Sequence, residues 1–132
     1  WTMFGDATSV TPSYSSTGGV NNGGYIFAND RGLDQVYYFQ APDKFLGNKG
    51  AYYGGSLRCY LRQQSAFSNQ FDNNDVVLEG GGVTLVYGAL SNPGLTFTSY
   101  RVPLVAGNWK VGTLSGTTAT AAQLRGVLNN LS

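Results

Sequence analysis

Histidine is absent from the 132 residues, and cysteine occurs once. Without an imidazole there is no Ser-His-Asp or Cys-His relay and no histidine-bound metal. The single thiol, Cys59, can close no internal disulfide and build no thiolate cluster. Charge is also scarce: Lys, Arg, Asp and Glu make up 11% of the chain, against about a quarter in an ordinary domain. Eight basic and seven acidic residues leave a net +1, and no stretch gathers more than a couple of like charges. Binding to nucleic-acid phosphates or to an anionic membrane needs clustered Lys and Arg, so neither partner is expected. No apolar run approaches the roughly 18 residues that cross a bilayer, and residues 1–30 lack the basic-then-apolar order of an export signal. Membrane insertion is not expected, and an export signal would have been removed ahead of Trp1.

What is plentiful points to a sheet protein. Glycine supplies 19 residues, about twice its usual share. Apolar residues reach 42% and aromatics 14%, nine of them tyrosine, enough to bury a core in one domain spanning residues 1–132. Period-two, β-branched and aromatic stretches predict strands at Val36–Ala41, Leu57–Gln63, Val76–Glu79, Val83–Tyr87, Leu95–Val102 and Trp109–Val111, with weaker ones at Trp1–Phe4 and Tyr25–Ala28. Turn signals such as Gly47-Asn48-Lys49-Gly50, Gly80-Gly81-Gly82 and Asn92-Pro93-Gly94 separate them. Short strands at this spacing, without alternating helices, predict an all-β antiparallel sandwich or jelly roll. No internal repeat or linker interrupts it.

Two segments are informative in detail. In Leu57-Arg58-Cys59-Tyr60-Leu61-Arg62 the alternation places Leu57, Cys59 and Leu61 on one face, so Cys59 reads as a small buried hydrophobe. Thr120-Ala121-Ala122-Gln123 matches a capping box, followed by Leu124, Val127, Leu128 and Leu131 at i, i+3, i+4 and i+7. This predicts one short C-terminal helix with a single apolar stripe. Gly126 weakens it by about 1 kcal/mol relative to alanine, so it should depend on docking against the sheet.

Carboxylates are the remaining catalytic option. Asp75 and Glu79 share one face of a strand but lie roughly 13 Å apart, too far for a glycosidase pair. Nothing selects a pair from Asp34, Asp43 and Asp72. No catalytic residue is assigned, and the chain is not expected to be an enzyme.

The middle of the chain carries a more specific signal. Val36-Tyr37-Tyr38-Phe39-Gln40-Ala41-Pro42-Asp43-Lys44-Phe45-Leu46-Gly47-Asn48 is followed by Tyr52-Tyr53-Gly54-Gly55-Ser56-Leu57 and then by Asp75-Val76-Val77-Leu78-Glu79-Gly80. This pattern closely resembles the laminin B module, also called the laminin IV type A domain. Trp1 with Gly5-Asp6-Ala7, and the Thr120–Leu131 helix, are similar as well. The resemblance implies a jelly-roll β-sandwich of the galactose-binding-like kind, extracellular and noncatalytic, usually one module of a larger matrix or surface protein. The motif residues read as architectural: Pro42 cannot donate to a ladder and so ends a strand, while Gly47 and Gly50 permit a tight loop with Phe45 and Leu46 folded beneath it. The sequence departs from laminin chains in lacking flanking cysteine-rich repeats. It also stops at Ser132, where members usually continue into another strand; a strand so missing would leave an open sheet edge for self-assembly.

The leading expectation is a structural or adhesive module of a matrix or surface assembly, with other protein chains or glycans as partners. The alternative is a carbohydrate-binding module, with Tyr14, Tyr52, Tyr53, Tyr100 and Trp109 as ring platforms for pyranose stacking. Related jelly rolls carry a structural calcium ion, for which Asp6 and Asp30 are the first oxygen donors to consider; otherwise no cofactor is expected. Asn130-Leu131-Ser132 forms a glycosylation sequon.

Overall fold

The computed structural model describes residues 1–29, 31–32, 36–64 and 73–132. Among these, the strands are β1 Thr2–Gly5, β2 Ser13–Ser15, β3 Tyr25–Phe27, β4 Tyr37–Gln40, β5 Ser56–Leu61, β6 Val76–Gly80, β7 Val83–Tyr87, β8 Thr98–Pro103 and β9 Lys110–Val111, followed by helix α1 Ala121–Asn129. All pairings are antiparallel: β1 with β4, β2 with β3, β5 with β8, and β7 with both β6 and β9 at the centre of a three-stranded sheet. The expected all-β architecture with one short C-terminal helix is present.

Local chemistry explains the boundaries. β4 stops before Ala41-Pro42, and Asp43–Phe45 form a single 3-10 turn. The β6–β7 hairpin closes through Gly81 and Gly82, at φ +57° and +75°. Two successive left-handed residues are what a tight hairpin turn demands, and glycine adopts them without penalty. α1 begins with the predicted capping box: Gln123 N–H donates to Thr120 Oγ1 at 3.2 Å, and Thr120 N–H donates to Gln123 Oε1 at 2.9 Å.

The main core sits where α1 covers the β6–β7–β9 sheet. Leu85, Tyr87, Val102, Leu104, Trp109, Ala119, Leu124, Val127 and Leu128 are all buried there. Each fully buried Leu or Val contributes about 1.5–3 kcal/mol, which is what holds a nine-residue helix carrying Gly126 in place. The approach is close at Gly80, where a Cβ would stand 2.6 Å from the carbonyl oxygens of both Val127 and Asn130.

Several expectations need correction. The apolar stripe was expected to run to Leu131, but α1 ends at Asn129, and Leu131 instead bridges Gly47 and Gly80 as a strand-like residue. β2 was not expected, because Ser13-Tyr14-Ser15 carries no apolar alternation. β8 runs from Thr98, later than Leu95, after the Asn92-Pro93-Gly94 turn. In β5, Leu57 stays 38% exposed and Cys59 half-buried, and both line the broad cleft described below rather than a closed core. Phe45 does not fold beneath its loop but lies partly exposed against Trp1, ring centroids 5.7 Å apart.

Candidate functional site

The loop that carries the family-like motif is a strap. Gly47, at φ +78°, exchanges two backbone hydrogen bonds with Leu131, of 2.8 and 3.1 Å. Lys49 N–H donates to the carbonyl of Leu128 at 2.6 Å. Farther on, Gly54 N–H donates to Leu104 O at 2.9 Å, and Leu104 N–H returns to Gly55 O at 3.0 Å. At Gly50 a Cβ would collide with the Asn129 side chain, so the strap and the end of α1 are in contact without room for one. The loop and the distant Leu104, Leu128 and Leu131 satisfy one another's backbone groups, which is an architectural role.

The five ring platforms part company. Trp109 is 0% exposed and donates its indole N–H to the Pro103 carbonyl at 2.9 Å. Tyr100 is 5% exposed, with its hydroxyl buried and unpaired among the described residues. Neither presents a face to a sugar, so both are core residues and not platforms. Alternation cannot show this in advance, because it does not say which face is covered. Tyr53 is half-buried under the Arg125 guanidinium, 3.7 Å from its ring centroid, so one face is already taken. Tyr52 and Tyr14 remain open, at 63% and 69% exposure.

The N-terminal strands, β5 and β6 line a broad cleft of about 2380 Å³, whose aromatic lining includes Phe4, Tyr25, Phe27, Tyr37, Tyr38 and Phe39. At one side Arg62 lies 5.3 Å from the Tyr25 ring centroid and 5.1 Å from that of Phe97, and its Nη2 donates to the Tyr25 hydroxyl at 3.3 Å. Burial pushes the Tyr38 hydroxyl above its ordinary pKa; the nearby Asp75 charge adds to the rise, and a hydrogen bond with Asn74 partly opposes it.

The acidic and sulfur groups occupy structural positions. Asp75 Oδ2 accepts from Leu90 N–H at 2.8 Å, and Thr84 donates to Glu79 at 3.4 Å. Asp43 is exposed, while Asp34 and Asp72 lie outside the described residues. Burial raises the Cys59 pKa, which keeps it a thiol at neutral pH and a poor nucleophile. Asp6 is buried and already engaged, with its main chain bonded to Val36 and Arg31; Asp30 lies outside the described residues. Among the described residues no three His, Cys, Asp or Glu side chains converge as a metal site.

The fold brings together one pair that sequence reasoning missed. Arg58 on β5 and Arg101 on β8 stand directly opposite each other. Their distance apart in sequence conceals this, since only the register of a long-range ladder makes them neighbours.

Comparison with known proteins fits this architecture. The model of the Laminin B (Domain IV) family matches residues 38–132. The basement membrane proteoglycan of Caenorhabditis elegans is 40% identical over 53 residues, which are 40% of this chain and 2% of the proteoglycan. Among solved structures, the L4b domain of human laminin alpha-2 aligns with a TM-score of 0.58 at 20% identity, covering 74% of this chain and 57% of that one. The chain thus spans a small fraction of the proteoglycan and little more than half of the laminin domain, with which it shares a β-sandwich type of fold. On the match over residues 38–132, the chain belongs to the laminin B (domain IV) family.

Proposed function

We propose that this chain is a noncatalytic structural and adhesive module of an extracellular matrix, acting through its surface. One observation carries the reading: in the family-like loop, Gly47, Lys49, Gly54 and Gly55 commit backbone groups to Leu131, Leu128 and Leu104, so this part of the motif ties the sandwich together. The names of the relatives, a basement membrane proteoglycan and a laminin domain, support an extracellular setting with protein neighbours. Retention of the folded chain on decellularised basement membrane tests the reading. Saturable retention that disappears after thermal unfolding is expected; equal retention of folded and unfolded chain would overturn it.

Carbohydrate binding is the second reading, favoured by the open rings of Tyr14 and Tyr52. A glycan array with Tyr52→Ala and Tyr14→Ala controls should show loss of any neutral-sugar signal on substitution. Silence of the unaltered chain across the array would remove this reading and leave the first.

A further inference from the structure

Directly opposed residues of an antiparallel pair hold their Cβ atoms about 5 Å apart, and like charges there repel. Arg58 and Arg101 occupy such positions, and both are exposed. Neither has an acidic partner among the described residues. Arg101 Nε donates to Ser56 Oγ at 3.1 Å, which tethers that guanidinium and leaves its terminal nitrogens without a partner among the described residues. The Arg58 side chain makes no hydrogen bond, ion pair or ring contact among the described residues. Alternation puts Ser56, Tyr60 and Ser99 on the same face, while Leu57, Cys59 and Leu61 turn to the other.

We propose that the Arg58 and Arg101 pair binds the sulfate groups of a sulfated matrix polysaccharide. A guanidinium presents a rigid fork of donors that matches an oxyanion two bonds at a time. An anion lying between two such forks would relieve the repulsion built into the ladder. Arg58, Tyr60, Ser99 and Arg101 form a run of exposed side chains on one sheet face, which suits an extended chain; Ser56, Ser99 and Tyr60 supply hydroxyls and a ring beside the charges. Two arginines fall well short of the about 6–10 phosphate contacts of a nucleic-acid binder. The inference rests on the matrix reading and names a partner for it; it depends on charge, where the neutral-sugar reading depends on stacking.

Binding of the full 132-residue chain to immobilised heparin tests it, with desulfated heparin, hyaluronan and polyglutamate as comparison polyanions. The unaltered chain should bind heparin in a salt-dependent manner and the comparison polyanions weakly. The Arg58→Gln/Arg101→Gln double variant should lose at least about tenfold in affinity and show a shallower salt dependence. Arg58→Glu should abolish binding while raising Tm, because the like-charge opposition becomes a cross-strand ion pair. That gain in Tm separates loss of the site from loss of folding. Unchanged heparin affinity in the double variant, polyglutamate or hyaluronan binding as tight as heparin, or a lowered Tm in Arg58→Glu would each overturn the assignment. Matrix retention without any heparin affinity would also overturn it, while leaving the module reading in place.

Discussion

In the C-terminal part of the chain, Tyr87 and Trp109 pack ring against ring at 5.4 Å inside a closed core. In the N-terminal part, Phe4 and Tyr38 stack at 5.1 Å, yet Phe4 remains mostly exposed beside the broad cleft. The residue types are alike; what differs is the second layer. α1 lays Leu124, Val127 and Leu128 across the β6–β7–β9 sheet. Among the described residues, the β1–β4 and β2–β3 ladders have two strands of three or four residues each and no helix packed on them. Two-stranded ladders are marginal on their own. Stability should therefore concentrate under the helix, leaving the N-terminal aromatics available as contact surface.

That contrast can be broken most directly by truncating one ring in each part. Trp109→Ala should cost about 3–5 kcal/mol, through lost burial and the cavity left behind, whereas Phe4→Ala should cost about 1 kcal/mol, since its ring is already half in water. Equal losses in denaturant melts would refute the asymmetry. Gly80→Ala should follow at about 1–3 kcal/mol, because the new methyl group meets two carbonyls at the end of α1; an unchanged melt would mean the helix does not sit that close. Thr120→Ala removes the capping box and should lower stability by about 1 kcal/mol, with loss of helical circular dichroism. Tyr100→Phe should move the other way, gaining up to about 1 kcal/mol, because it deletes a buried hydroxyl that has no partner among the described residues.

The smallest effect is one of pH. Burial raises the Cys59 thiol above its ordinary 9.0, so the unfolded chain gives up this proton first. The stability tied to the neutral thiol is present below that pH and is lost as pH rises through the raised folded value; Tyr38, raised mainly by burial, acts in the same direction. Alkylation of Cys59 should accordingly run slower in the folded protein than in denaturant at the same mildly alkaline pH. Equal rates would place the thiol in open water.

The elements that could be read from sequence are those whose cause is local. The Thr120–Gln123 capping box, the Gly81-Gly82 hairpin and the strands around Val76–Gly80 and Val83–Tyr87 each follow from a few adjacent residues. The resemblance carried by Ala41 to Gly47 likewise led to the right family. What stayed hidden depended on distant chain. Tyr100 and Trp109 qualify as ring platforms by residue type alone, and only the closing of the core over them shows that they are not. Leu131 fits a helical stripe in spacing, yet its backbone is captured by Gly47 and Gly80. The opposition of Arg58 and Arg101 exists only once β5 and β8 have found their register.

The strap between Gly47 and Leu131 has a bearing on how the molecule is made. Its two sides leave the ribosome far apart in time, so the Ala-Pro loop must wait unfastened until the last stretch of helix has emerged. Contacts of such long sequence separation form slowly. A nascent chain would therefore offer the tyrosine-rich strands ahead of this loop to chaperones, and to neighbouring copies, until Leu131 has emerged.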